Sequence, residues 1–237
     1  MKKCRICQKP YKDVSVDLVD EENLVFSFPD CNCYADKYDT EQKQRVVHKL
    51  LDHSNIYHDR WKDDLKDFRW AEGYLEARKV FGHYLKQLRE NITAGRGLFL
   101  FGPKGTGKTR LSCYVLVKIM KSLLIPCQYY HTTELFDLLR EPQDRFHVLE
   151  RCRNVKVLLI DDIGESIADY WIRIYLKQII NHRYERKKTL LVNSMRSIEE
   201  LRDERYLGEH MLSRLIEVCD VAEIKTSADY RKQGVSA

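Results

Sequence analysis

The chain has 237 residues, of which 43% are hydrophobic and 32% charged, and it carries a formal net charge of +5. That length accommodates one full-sized domain and a smaller appendage, no apolar run approaches the roughly 18 residues of a membrane span, and Met1-Lys2-Lys3 opens no signal-peptide pattern. A soluble cytoplasmic protein with no membrane partner is expected. The mild positive charge permits contact with nucleic acid without arguing for it, and excludes a tail-like or histone-like binder.

The first feature in chain order is a set of cysteines. Cys4 and Cys7 form C-x2-C, and Cys31 and Cys33 form C-x-C, each pair beside turn-forming residues such as Pro10, Pro29 and Asp30. Four thiolates can supply a closed tetrahedral Zn²⁺ site of structural type. Between the pairs, residues 14–19 and 23–28 read as two short strands. The expectation for residues 1–35 is a small zinc-ribbon-like module, too small to fold on its own core and dependent on metal; unliganded surface thiols are the competing reading. The other four cysteines, Cys113, Cys127, Cys152 and Cys219, are isolated in apolar stretches and are expected to be buried small hydrophobes.

Residues 36–95 are rich in charge and aromatics, with few glycines or prolines. Over 72–88, Leu75, Val80, Phe81, Tyr84, Leu85 and Leu88 fall close to helical spacing, which predicts a helical connector ending near 91–97. His48, His53 and His58 are read as solvated side chains. After residue 96 the pattern alternates strand and helix, the signature of an α/β domain with a parallel sheet over 96–237. Five strands are expected, at 97–101, 127–131, 155–160, 189–192 and 221–225. Helices are expected at 168–186, from the capping box of Ser197 and Glu200 onward, and at 207–216.

Directly after the first of these strands, Gly102-Pro103-Lys104-Gly105-Thr106-Gly107-Lys108-Thr109 matches G-x-x-x-x-G-K-[ST], and an amphipathic segment follows over 110–121. The glycines let consecutive N–H groups turn inward around phosphate oxygens. Lys108 is placed to contact the β- and γ-phosphates, and Thr109 to hold Mg²⁺. The third strand ends in Asp161 and Asp162. A buried strand admits acids at its end, where they face a ligand at the carboxyl edge of the sheet. Asp161 is expected to hold Mg²⁺ through water, and Asp162 to orient or deprotonate the water attacking the γ-phosphate. Asp161-x-x-Gly164 also fits a GTPase pattern, but no N-K-x-D motif for guanine occurs in the chain, so ATP is favoured.

Asn193, at the end of the fourth strand, is a candidate for positioning the lytic water, with helix capping as the competing reading. Arg214 lies off the apolar face of its helix and could act in trans on a neighbour's γ-phosphate; Arg231 offers a second guanidinium. Arg183, Arg186, Lys187 and Lys188 are candidates for contact with DNA, against the simpler reading of cations at a helix C-terminus.

The order of phosphate loop, acid-ended strand, polar strand end and arginine helix resembles AAA+ ATPases. More narrowly it is similar to the DnaC/DnaI-type replicative helicase loaders and their IstB-like transposition relatives, over most of residues 90–231. The resemblance implies an ATPase with Walker A residues Lys108 and Thr109, Walker B residues Asp161 and Asp162, sensor 1 at Asn193, an arginine finger at Arg214 and a sensor 2 arginine at Arg231. It implies an α/β AAA+ core lacking most of the helical lid, and an N-terminal region that grips the helicase. It further implies a hexameric DnaB-type helicase and single-stranded DNA as partners, with assembly into a homo-oligomer when ATP is bound. An IstB-like transposition helper, and a zinc-containing DNA-binding or adaptor protein that binds ATP without turnover, are the alternatives.

Overall fold

The pleat of the central sheet sorts the apolar residues of the chain into two layers. The computed structural model describes residues 11–16, 24–29, 37–164 and 170–226, with side chains from residue 42 onward. Strands β1 (Tyr11–Val16) and β2 (Leu24–Pro29) form an antiparallel hairpin in which Val14 pairs with Phe26. The hairpin expected from the sequence is present, with its first strand starting three residues earlier. Helix α1 (Lys37–Asp52) follows, then short 3₁₀ turns at His58–Arg60 and Glu72–Tyr74, and helices α2 (Leu75–Lys86) and α3 (Leu88–Ala94). The chain then alternates through β3 (Gly97–Phe101), α4 (Lys108–Leu123), β4 (Cys127–His131), α5 (Thr132–Arg140), α6 (Pro142–Asn154) and β5 (Val157–Asp161). It closes with α7 (Tyr170–Glu185), β6 (Thr189–Ser194), α8 (Ile198–Leu201), α9 (Glu209–Val218) and β7 (Cys219–Glu223).

The five main strands lie in the order β4-β5-β6-β3-β7, and every pairing is parallel. A parallel sheet covered on both faces needs strands that are apolar throughout, and β3 and β5 supply Gly-Leu-Phe-Leu-Phe and Val-Leu-Leu-Ile-Asp. Successive side chains leave opposite faces. Leu98, Leu100, Val157, Leu159 and Leu191 join α4 and the N-terminal helices in one core. Their neighbours Phe99, Leu158, Ile160, Leu190 and Val192 join α5, α6, α7 and α9 in the other. The connector belongs to the first layer: α1 packs on α4, α2 packs on β7, and Tyr74, Phe81 and Tyr84 are fully covered.

Strand ends differ from the sequence expectation where pairing overrides local propensity. β6 runs on through Asn193 and Ser194 because these residues still pair with Leu100 and Phe101 of β3. β7 begins at Cys219, directly after α9, since Cys219 pairs with Gly97. Helix α9 starts after Gly208, whose φ of 75° breaks the preceding turn. Cys113, Cys127, Cys152 and Cys219 are buried free thiols, as expected. His48, His53 and His58 are exposed, although the rings of His48 and His58 also rest on Trp61.

Arg183 corrects an expectation. It is only 1% exposed, and its guanidinium donates to the carbonyls of Cys152 and Val155 (2.7 and 2.9 Å) and of Lys156 and Thr189. Burial pushes its pKa down to about 9. It therefore ties the end of α6 to the starts of β5 and β6 and is not available to DNA. Lys188 donates to the Asn154 carbonyl at 2.6 Å and serves the same junction.

Candidate functional site

The phosphate loop leaves β3 at Gly102 and ends where α4 begins. Gly105 and Gly107 both have φ of 80°, the left-handed region that side chains disfavour. At Gly107 a Cβ would also sit 2.8 Å from the ring of Phe68, so the connector fills the space a side chain would need. Tyr74, from the same connector, donates its hydroxyl to the Thr106 carbonyl at 2.6 Å. Thr106 in turn donates to Pro103 at 2.9 Å. Arg110 forms a two-pronged pair with Asp63 and lies over Phe68, and this hydrogen bonding holds the Asp63 carboxyl below its usual range. Asp63, Phe68 and Tyr74 thus hold the loop and the first turn of α4.

Lys108 is 7% exposed, and its ammonium donates to the carbonyls of Gly102 and Pro103, both at 2.8 Å. Pro103 and Lys104 are exposed, and Lys104 lines the cleft. Thr109 donates its hydroxyl to Asp161 Oδ1 at 3.1 Å. Asn193, fully buried, donates to the same oxygen at 2.7 Å and accepts from Ser112 Oγ at 2.7 Å. Tyr129 donates to Asp161 Oδ2 at 3.2 Å, and burial and then the nearby carboxylate keep its phenol protonated well above the usual range. Asp161 is therefore gripped on both oxygens while 3% exposed.

Asp162 has a φ of 63°, a conformation aspartate tolerates better than most residues. The turn takes its carboxylate to the cleft wall, 3.9 Å from His131 Nε2. The loop that follows is fastened to the end of β6. Ile163 N–H donates to the Asn193 carbonyl, Ser194 Oγ to the Ile163 carbonyl, and Arg196 to the Gly164 carbonyl.

These residues surround a cleft of about 470 Å³, walled by the phosphate loop, Asp161, Asp162, Tyr129, His131 and Met195, with Tyr57 and Arg60 reaching in from the connector. Thr109 and Asp161 offer hard oxygen donors side by side, the donor set that Mg²⁺ accepts when it retains most of its waters.

The sequence-predicted residues divide into three groups. Gly102 to Thr109, Asp161, Asp162 and Asn193 come together at this carboxyl edge. Arg214 does not: α9 packs on α7, and its guanidinium lies 4.9 Å from the ring of Tyr184. Arg231, Cys4, Cys7, Cys31 and Cys33 lie outside the described residues. Sequence reasoning missed Tyr129, Ser112 and Arg60. Tyr129 sits in a strand that reads as core, and only the pairing of His131 with Asp161 reveals where its hydroxyl can point.

A second cleft, about 360 Å³, opens beside α7, lined by Arg140, Arg145, Trp171 and Tyr175. Phe146, Tyr170 and Trp171 are exposed at 69%, 68% and 62%. Among the described residues no helix is long and apolar enough to cross a membrane.

A family model for IstB-like ATP binding protein matches residues 26–237. YqaM of Bacillus subtilis, an uncharacterized protein, is 29% identical over 155 residues, 63% of this chain and 45% of that protein. The phage-like element PBSX protein XkdC of the same organism is 29% identical over 230 residues, 86% of this chain and 79% of its own. The replicative helicase loader DnaC of Escherichia coli K12 is 26% identical over 159 residues, covering 61% of this chain and 59% of the loader. Among solved structures, the DnaC helicase loader superposes with a TM-score of 0.62 at 24% identity, over 71% of this chain and all of that one. DnaI superposes with a TM-score of 0.60 at 19% identity, over 74% and 95%. The likeness to these two is one of fold, the α/β core of AAA+ P-loop proteins.

Proposed function

This chain belongs to the family of IstB-like ATP-binding proteins, and from that premise we propose that it is a Mg²⁺-dependent ATPase that loads a hexameric DnaB-type replicative helicase onto single-stranded DNA. The observation that carries the ATPase reading is the carboxylate of Asp161, held by Thr109, Asn193 and Tyr129 at the edge of the cleft that the phosphate loop walls. Its geometry supports hydrolysis in the following way. Lys108 exchanges its two carbonyl partners for β- and γ-phosphate oxygens, so its charge is already aimed when ATP arrives. Thr109 and Asp161 would hold Mg²⁺, which neutralises charge on the phosphates. Asp162, at the cleft wall, orients or deprotonates the attacking water. Asn193 fixes the Asp161 carboxylate and stands beside the reacting centre. Arg214, remote from its own cleft, serves the γ-phosphate of a neighbouring copy, so that hydrolysis depends on assembly.

The loader reading is supported by likeness to DnaC in sequence and fold. The exposed aromatics Phe146, Tyr170 and Trp171, with Arg140 and Arg145 beside them, suit single-stranded DNA, which binds by base stacking over a basic track. Four thiolates at Cys4, Cys7, Cys31 and Cys33 would bind Zn²⁺ and shape the helicase-docking end of the chain. The match to IstB-like proteins favours one alternative, a transposition helper acting on duplex DNA.

The deciding experiment is size-exclusion co-elution with the replicative helicase of the host, with and without ATP. Co-elution is expected, and its loss on removing residues 1–35 would locate the docking module; no association in any nucleotide state would move the assignment to the transposition helper. Hydrolysis by the intact protein is expected to exceed that of Asp162→Asn by about 100-fold. Equal, negligible rates would instead support an adaptor that binds ATP without turnover.

A further inference from the structure

Arg60 is a cation of the nucleotide cleft contributed by neither the phosphate loop nor the sheet. It closes the 3₁₀ turn His58–Arg60, and that turn is fastened at several points. The Ser54 carbonyl accepts from Tyr129 N–H of the edge strand β4 at 2.8 Å. Trp61 Nε1 donates to the Ile56 carbonyl at 2.8 Å, and Lys121 of α4 donates to the Trp61 carbonyl. A side chain on so constrained a turn is delivered to the cleft, rather than sampling solvent.

Its hydrogen bond goes to a thiol, while the nearby Asp161 carboxylate favours a cation at this place. The guanidinium reaches Cys113 Sγ at 3.7 Å, and burial pushes this thiol up to about 12, so it is a neutral and weak acceptor. An arginine fork has five donors and matches phosphate oxygens two at a time. Tyr129 and Asp161 are its electrostatic neighbours, and Asp161 is the carboxylate that Thr109 meets, so Arg60 stands on the Asp161 side of the cleft.

We infer that Arg60 contacts the terminal phosphate of ATP bound in its own chain, so that loss of that phosphate is felt directly by the connector. The inference rests on the ATP reading above. Phosphates of DNA share the same chemistry, and the test separates the two sources. Arg60 would be a cis-acting guanidinium for the developing charge, distinct from the trans role assigned to Arg214. Arg60 and the phosphate would add one more restraint on Ser54 to Trp61, the stretch that leads back to α1.

The test is equilibrium binding of AMPPNP and of ADP, each with Mg²⁺, to the full chain and to Arg60→Ala, Arg60→Lys and Lys108→Ala. Arg60→Ala is expected to weaken AMPPNP about tenfold while changing ADP less than about twofold, with Arg60→Lys in between. Retained ADP binding shows that the variant is folded. Equal loss of both ligands, or no loss of either while Lys108→Ala loses both, overturns the inference and leaves the ATP reading standing. If the full chain binds neither ligand, both fail together. Binding of an oligo-dT strand without nucleotide should be unaffected by Arg60→Ala; a loss confined to that arm would assign Arg60 to DNA and overturn the inference. Amide exchange over residues 54–62 should be slower with AMPPNP than with ADP, and that difference should vanish in Arg60→Ala.

Discussion

Thr109, Ser112, Tyr129, Asp161 and Asn193 come from α4, β4, β5 and β6, yet they hold one another through hydrogen bonds of 2.7 to 3.2 Å. Arg214, which the family resemblance alone marks as a finger, lies on α9 against Tyr184, outside that set and outside the cleft wall. The first group is assembled by strand order: once β5 lies between β4 and β6, residues on three adjacent strands share one carboxylate. Among the described residues, the second rests on the neighbouring helix. A residue cross-linked to the site within its own chain needs no other copy to be placed, whereas a residue left on the far side has a use at the site only if a second copy presents it.

The largest effect that would break or sharpen this contrast is on turnover. Arg214→Ala should lower the ATPase rate by about 1000-fold with nucleotide affinity unchanged. Mixing it with Lys108→Ala chains should restore part of the rate, because each copy supplies what the other lacks. No recovery on mixing would mean that Arg214 does not act across copies. Next, Lys108→Ala should weaken ATP binding by on the order of 100-fold in equilibrium titration, since several charge-assisted contacts go at once.

A third test compares two arginines that look alike in the sequence. Arg183→Leu should cost about 2 to 3 kcal/mol in urea unfolding, because it strips donors from four carbonyls, three of them in buried hydrogen bonds. Arg214→Ala should cost under about 1 kcal/mol, mostly a lost cation–π contact. Reversal of that order would invert the assignment of one as structural and the other as functional. The smallest effect is acid dependence at the loop support. Pairing with Arg110 depresses the Asp63 pKa, so its contribution is present above the unfolded value and lost as pH falls through the lower folded one. Between neutral pH and pH 3, Asp63→Asn should therefore lose less stability than the wild-type chain; equal losses would show that the pair adds nothing.

What was legible in the sequence was whatever depends on short stretches. The phosphate loop declares itself because its glycines answer to local φ angles, and β3 and β4 keep the expected limits, β3 ending at that loop and β4 running straight into α5. Asp161 was legible as an acid closing an apolar strand. Tyr129 was not: in Cys-Gln-Tyr-Tyr-His it is one of two adjacent aromatics, and the strand pleat sends Tyr129 to the α4 layer and Tyr130 to the other. Arg183 was misjudged for a similar reason, since a cation near a helix end reads as solvated until the carbonyls of three other segments are seen around it. Arg60 sits in a turn without periodicity, and nothing local indicates that the turn is stitched to the edge strand.

Gly107 cedes to Phe68 the space of its absent side chain, and Tyr74 holds the Thr106 carbonyl. The nucleotide cradle is in this sense a joint of two stretches that meet only after folding. Trypsin cutting after Lys62, Lys66 or Arg69 would leave the loop covalently whole and still slacken its grip on phosphate. A partner that pulled on the same stretch would tune ATP affinity by tension, without entering the cleft at all.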